Sequence, residues 1–137
     1  MNKIYITRRE TFNAAHKLWR EDWSEDKNWE VFGKCSNKNW HGHNFEIFVT
    51  VKGVPSEDTG FVINLKDLSA ILKDEVIEPL DHKNLNLDVP EFKNLNPSAE
   101  NIAVVIYHKL RVKIAAELDL KIRLYETERN FVEFPAY

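Results

Sequence analysis

The alternating stretch that begins with His41-Gly42-His43 constrains the fold more than any other feature of the sequence. From residue 43 to 51 the odd positions hold a histidine followed by large apolar residues, and the even positions are mostly polar. A period of two is typical of a β-strand with one buried face. Residues 3–18 alternate in the same way, with apolar residues on even positions, although Arg8 and Glu10 interrupt the pattern. The sequence therefore predicts two long strands in the first part of the chain.

The middle of the chain changes to a helical period. One helix is predicted over residues 64–80 with Asn64 as its N-cap, and a second begins after Ser98. Their apolar faces consist of Leu65, Leu68, Leu72 and Val76 in the first helix and Ile102, Ile106 and Leu110 in the second. Alternation returns after residue 118 and predicts a terminal hairpin with its turn near residues 128–130. The order ββααββ predicts an α+β fold, with a four-stranded antiparallel sheet and both helices on one face.

Length and composition limit the possible classes of protein. The 137 residues contain no linker or repeat, so a single domain spanning residues 1–137 is expected. The net charge of −3 gives no electrostatic reason to expect nucleic acid or an anionic membrane as a partner. No segment has the apolar run of a signal peptide or of a membrane span, and the single cysteine cannot form an internal disulfide. We therefore expect a cytoplasmic protein with a free thiol at Cys35.

The histidine triplet predicts a metal site. His41 and His43 occupy alternate positions of a strand, so their imidazoles lie on the same side of it. His16, on the apolar face of the first strand, is the candidate third ligand. Three neutral imidazoles leave a fourth position open for water or substrate, which is typical of catalytic zinc. The alternative is that each histidine is a partly buried polar residue with ordinary hydrogen-bond partners.

Cys35 and Glu126 are further candidates for chemistry. Cys35 lies in the polar segment FGKCSN, which argues against an inert core thiol, but it needs a nearby cation, metal or base to form a thiolate at neutral pH. Glu126 continues the apolar face of residues 120–124, where a carboxylate is costly unless it is paired. It either ends the strand in solvent or binds a planar, guanidine-like group through two parallel hydrogen bonds.

Asp81 and His82 are neighbours in the segment PLDHKNL and are candidates to supply a base for the thiol. Adjacent residues rarely face each other, so their spacing does not predict a pair. His108, within VVIYHKL, is interpreted as a helix-surface residue. The tryptophan-rich segment of residues 20–30 is predicted to be a loop, acting either as a lid or as a packing element.

Several motifs, in order along the chain, resemble the 6-pyruvoyl-tetrahydropterin synthases and the related 6-carboxytetrahydropterin synthases of queuosine biosynthesis. They are FNAAHKL, FGKCSNKNWHGHNF, TGFVINLKDL, PLDHKNLNLDVPEF, NPSAENIAV and YETERNFVEF. The resemblance covers nearly the whole chain. It implies the tunnelling fold (T-fold), in which subunits join their sheets into a barrel, typically as a homo-hexamer of two trimers.

The resemblance also implies roles for individual residues. The three histidines match the family's zinc ligands, and Cys35 matches its catalytic thiol. Asp81 and His82 match the groups that activate this thiol across a subunit interface. Glu126 matches the carboxylate that anchors the pterin ring. Further pterin contacts of the family fall at Ser98 and Glu100.

The family substrate is 7,8-dihydroneopterin triphosphate, and the resemblance implies a reaction that needs no nicotinamide or flavin. Zinc acts on the side-chain oxygens of the substrate, the thiolate removes a proton, and triphosphate leaves. The chain accordingly lacks a glycine-rich dinucleotide fingerprint.

Two alternatives to the pyruvoyl-forming reaction remain at this point. Cys35 precedes His41 by six residues, a spacing that resembles the pyruvoyl-forming branch, whereas the queuosine branch often has four. The other branch releases 6-carboxytetrahydropterin and acetaldehyde from the same substrate. A third interpretation is a non-catalytic pterin- or metal-binding module, and the presence of both Cys35 and His82 argues against it.

Overall fold

A five-stranded mixed sheet with the order β3-β1-β2-β4-β5 forms the frame of the molecule. The computed structural model describes residues 2–137. The strands are β1 (Ile4–His16), β2 (His41–Gly53), β3 (Lys83–Asn84), β4 (Asp119–Tyr125) and β5 (Phe131–Phe134). Neighbouring strands are antiparallel except for the β1–β3 pair, which is parallel. The predicted α+β class is confirmed.

The predicted four-stranded, wholly antiparallel sheet is wrong because it omits β3. This strand has only two residues, Lys83 and Asn84, and they pair with Ala14 and Ala15 at the edge of the sheet. A two-residue strand has no alternation that a sequence pattern can detect. It forms because the edge of β1 offers backbone partners, which is a tertiary effect.

In the part of the chain that the structure describes, five helices connect the strands, so the predicted order ββααββ is also too simple. They are α1 (Glu25–Phe32), α2 (Leu65–Leu72), α3 (Glu78–Leu80), α4 (Leu85–Asp88) and α5 (Ala99–Arg111). A π-helical turn, Lys73–Ile77, joins α2 to α3, and short 3₁₀ turns occupy Gly33–Ser36 and Pro90–Phe92. Both predicted N-caps are confirmed: Asn64 accepts from the N–H of Lys66, and Ser98 accepts from the N–H of Asn101.

Helix α1 occupies part of the segment that the sequence predicts to be a loop. It is short and largely polar, so it lacks the apolar period that marks a longer helix. The fully buried Asn28 stabilises it: its side chain accepts from the N–H of Arg20 and donates to the carbonyls of Arg20 and Ser24. Trp23 stacks on Phe32 with 5.6 Å between the ring centroids. These contacts favour the packing interpretation of the tryptophan-rich segment.

The core lies between one face of the sheet and helices α2 and α5. Its largest fully buried side chains include Phe45, Ile47, Leu68, Leu72, Ile102, Ile106, Leu110, Ile122 and Leu124. Each fully buried Leu or Ile stabilises the fold by about 1.5–3 kcal/mol. The opposite face of the sheet is polar and carries the pairs Thr7–Thr50, Arg9–Glu46 and Arg123–Glu133. Within residues 2–137, every helix is too short or too polar to span a bilayer.

The β1–β2 ladder positions the candidate site. Its register runs without interruption from Ile4 opposite Gly53 to His16 opposite His41. The even residues of β1 and the odd residues of β2 therefore share the core face, and both rows end in histidine. This alignment confirms the faces predicted from the two alternating segments.

Candidate active site

Three histidine rings meet where the β1–β2 ladder ends. The ring centroids lie 4.5 Å apart for His16 and His41, 5.1 Å for His16 and His43, and 5.0 Å for His41 and His43. One nitrogen from each ring lies within 4.8 Å of the other two. The structure thus brings together the three residues that the sequence predicts as metal ligands.

The hydrogen bonds of these rings show that the residues fit a metal ion. Nδ1 of His16 lies 2.7 Å from the carbonyl oxygen of Pro97. A carbonyl can only accept, so Nδ1 carries the hydrogen and Nε2 keeps a lone pair. Within residues 2–137, Nε2 of His16, Nδ1 of His41 and Nε2 of His43 are buried without a hydrogen-bond partner. Unsatisfied buried nitrogens are costly, and one divalent cation bound by all three would satisfy them.

The protonation state of the cluster also suits metal binding. Burial lowers the pKa of His16 to about 4, and the neighbouring His41 and His43 lower it further, against the opposing effect of the Pro97 carbonyl. Burial, followed by the proximity of His43, also lowers the pKa of His41. Both imidazoles are therefore neutral at pH 7, as a metal ligand must be.

Glu126 faces the histidine cluster. Its Oε2 lies 3.8 Å from Nε2 of His16, and 27% of its side-chain surface is exposed. The carboxylate therefore lies at the edge of the histidine cluster, and the alternative of a strand end in open solvent does not describe it.

Cys35 lies close enough to Glu126 for the carboxylate charge to affect the pKa of its thiol. It belongs to the 3₁₀ turn Gly33–Ser36, and its carbonyl accepts from the N–H of Leu18 at 2.7 Å, two residues beyond His16. Burial raises the pKa of the Cys35 thiol, and the negative charge of Glu126 raises it further. A cation at the histidine cluster would oppose both effects and favour the thiolate.

Asp81 and His82 form a pair that the sequence does not predict. The Asp81 carboxylate lies 2.9 Å from Nδ1 of His82, and it accepts from the N–H of Asn13. The hydrogen bond from Asn13 is the main cause that lowers the pKa of Asp81, and His82 adds to it. The two neighbours face each other because His82 has a positive φ of 58°, which is uncommon outside glycine and gives no signal in a sequence.

The Asp81–His82 pair does not join the rest of the site within one chain. The His82 side chain is 82% exposed, and in residues 2–137 no hydrogen bond or ion pair connects it with Cys35.

A cavity of about 300 Å³ opens beside the cluster. It is lined by Leu18, Ser98, Ala99, Glu100, Glu126, Asn130, Phe131 and Val132. The cavity unites the residues that the sequence assigns to substrate contacts, although the Ser98 hydroxyl already accepts the capping hydrogen bond of α5. Sequence reasoning missed Pro97, which acts through its backbone carbonyl, and the cavity-lining residues of β5 and its preceding turn, whose side chains carry no distinctive pattern.

Comparison with known proteins finds relatives that match nearly the whole chain. A family model described as 6-pyruvoyl tetrahydropterin synthase matches residues 5–136. The 6-pyruvoyl tetrahydrobiopterin synthases of Pongo abelii and Homo sapiens are 42% and 40% identical to this chain over 94% of it, and the alignment covers 89% of each relative. The solved structure of the Caenorhabditis elegans 6-pyruvoyl tetrahydropterin synthase is similar with a TM-score of 0.93 and 33% identity, over 100% of this chain and 98% of the other.

These similarities extend over nearly the whole chain. They confirm the family resemblance and the T-fold architecture expected from the sequence motifs. The chain belongs to the 6-pyruvoyl tetrahydropterin synthase family.

Proposed function

We propose that this chain is a zinc-dependent lyase that converts 7,8-dihydroneopterin triphosphate to 6-pyruvoyl-tetrahydropterin with elimination of triphosphate. The observation that carries the proposal is the set of three imidazoles whose buried nitrogens have no hydrogen-bond partner within residues 2–137, beside a thiol and a carboxylate. Membership of the family supports the reaction class. The relatives that are 42% and 40% identical support the pyruvoyl-forming branch.

The residues of this chain divide the chemistry between them. His16, His41 and His43 would hold zinc, which supplies a Lewis acid that makes C–H bonds next to the bound side-chain oxygens more acidic. Cys35 accepts a proton at Sγ as the general base. Glu126 accepts hydrogen bonds from the N–H groups of the pterin ring. The distance of 3.8 Å between its Oε2 and Nε2 of His16 supports a pterin position beside the cluster.

We assign Asp81 and His82 to the active site of a neighbouring subunit. The exposed imidazole is held in one orientation by its own carboxylate partner, and that carboxylate is fixed to β1 through Asn13. Such a group is suited to receive the proton from Cys35 of another copy. This assignment requires a homo-oligomer, for which we propose the family hexamer. The reactive free thiol suits a reducing cytoplasm.

Product analysis tests the proposed reaction directly. Purified protein loaded with zinc should release triphosphate from 7,8-dihydroneopterin triphosphate and form 6-pyruvoyl-tetrahydropterin, identified by mass spectrometry. A product of the mass of 6-carboxytetrahydropterin, together with acetaldehyde, would assign the chain to the queuosine branch instead. If the protein releases no triphosphate and forms neither product, the non-catalytic binding module is favoured.

Replacement of Glu126 by glutamine should weaken pterin binding by about 10- to 100-fold, because the ring loses a charge-assisted pair of hydrogen bonds. The free energy of unfolding should change by less than about 0.5 kcal/mol, since the side chain is partly exposed and accepts no hydrogen bond within residues 2–137. Calorimetric titration with a pterin, together with denaturant unfolding, measures both quantities. Glu128→Gln, in the exposed turn of the same hairpin, is the matched control. Equal pterin affinity in the two variants would contradict the anchor role.

A further inference from the structure

The turn between β4 and β5 carries one wall of the cavity beside the histidine cluster. Glu126 lies at the start of this turn and Asn130 at its end, and both residues line the cavity. The N–H of Glu126 donates to the carbonyl of Asn130 at 3.2 Å, which joins the two ends of the turn. The Glu126 side chain accepts no hydrogen bond within residues 2–137, so the direction of its carboxylate depends on the conformation of the backbone that carries it.

The hydroxyl of Thr127 closes this turn. It accepts from the N–H of Arg129 at 3.3 Å and from the N–H of Asn130 at 3.2 Å. Short hairpin turns usually depend on a residue at positive φ, most often glycine. Residues 126–130 contain no glycine, and none of them has a positive φ. A threonine hydroxyl that binds backbone N–H groups further along the chain is a different way to stabilise a turn, and this hairpin uses it.

The turn has no support from the hydrophobic core. Residues 127–130 are all exposed, and none of them belongs to the buried cluster between the sheet and the helices. In the part of the chain that the structure describes, the hydrogen bonds of these four residues are the two to the Thr127 hydroxyl and the one from Glu126 to Asn130. The conformation of this cavity wall therefore depends on one exposed hydroxyl.

We propose that Thr127 is a positioning residue for pterin binding, because its hydroxyl holds the turn in the conformation that directs the Glu126 carboxylate towards the cavity. The inference rests on the proposed function, which supplies the pterin and the anchor role of Glu126. Thr127 itself does not line the cavity. It acts through the backbone of the turn, and the carboxylate makes the contact with the ring.

Thr127→Val tests this role, since valine has nearly the same shape and lacks the hydroxyl. The dissociation constant of phosphate-free 7,8-dihydroneopterin, measured by calorimetry on the zinc-loaded protein, should rise about five- to tenfold. The KM for the triphosphate should rise by a similar factor with kcat unchanged, because the thiol and the histidines are untouched. Thr127→Ser keeps the hydroxyl and should bind the pterin like the wild-type protein.

A double-mutant cycle shows whether Thr127 acts through Glu126. When Thr127→Val is added to Glu126→Gln, pterin binding should weaken by less than about twofold further, because the group that the hydroxyl positions is already altered. An equal loss in both backgrounds would contradict the proposal and indicate an effect that is independent of the carboxylate. Thr59→Val is the matched control, because the Thr59 hydroxyl accepts from the N–H of Phe61 at 3.1 Å in another exposed turn, away from the cavity lining.

Amide hydrogen exchange examines the turn without any ligand. Exchange at Arg129 and Asn130 should be about tenfold faster in Thr127→Val than in Thr127→Ser, because the acceptor of both N–H groups is lost. Unchanged exchange, or unchanged pterin affinity in a protein whose Glu126→Gln variant binds weakly, would overturn the positioning role and leave the proposed function intact. If the wild-type protein neither binds the pterin nor turns over the triphosphate, the proposed function fails and the positioning role fails with it.

Discussion

Replacement of Cys35 by alanine should lower turnover by a factor of about 10³, the usual effect of losing a positioned general base. The residue holds the only thiol in the chain, and it lies beside the carboxylate and the histidine cluster. Its structural contact with Leu18 uses the backbone carbonyl, which alanine retains. We therefore expect the loss in kcat with zinc content and the free energy of unfolding unchanged.

The companion variant Cys35→Ser separates the size of the side chain from its acidity. Serine fills nearly the same volume, but its hydroxyl ionises far less readily than a thiol, so it should be almost as inactive as alanine. Triphosphate release under single-turnover conditions is the measurement. Full release of triphosphate by Cys35→Ala would exclude the thiol as the base. Glu126, whose carboxylate lies 3.8 Å from Nε2 of His16, would then be the alternative candidate.

Removal of the metal should abolish activity and also destabilise the fold. Within residues 2–137, the three buried imidazole nitrogens have no hydrogen-bond partner, and the thiol would lose the positive charge by which a bound cation favours its ionised form. Dialysis against a chelator should remove about one zinc ion per chain, lower the Tm and stop turnover, and added zinc should restore all three. The zinc content, the Tm and the turnover are measured on the same sample before chelation, after chelation and after zinc is added back.

A pair of histidine variants provides the control for this experiment. His43→Asn should lose most of its zinc and its activity, because one of three protein ligands is absent. His108→Asn, at an exposed position of α5, should keep both. A metal-free preparation with unchanged activity, or a His43 variant with full zinc content, would refute the assignment of the ligands.

Local periodicity explains why most of the fold was predictable from the sequence. In a long strand or helix, apolar residues recur with the period of the element. The even residues up to His16 and the odd residues from His41 onward therefore identified the buried faces of two strands, although their pairing partners were unknown. The histidine cluster followed from the same reasoning, because two rows on one core face converge where an antiparallel ladder ends. Glu126 stood out for a related reason, as a carboxylate on an otherwise apolar face.

The features that the sequence did not predict depend on tertiary contacts or on backbone conformations without a residue signature. Strand β3 needs the edge of β1, and helix α1 needs the buried amide of Asn28. The Asp81–His82 pair depends on a positive φ at a histidine. The sequence also could not predict that the Pro97 carbonyl accepts the hydrogen of His16, since every residue has a backbone carbonyl.

The contact between His16 and Pro97 has a consequence for how the site responds to change. Pro97 directly precedes the residue that caps α5, and the first residues of that helix form one wall of the cavity. One hydrogen bond thus links the imidazole to this wall of the cavity. A displacement of the start of α5 would change the hydrogen bond that orients the ring, so a cation bound by His16 would respond to how tightly that end of the helix is anchored.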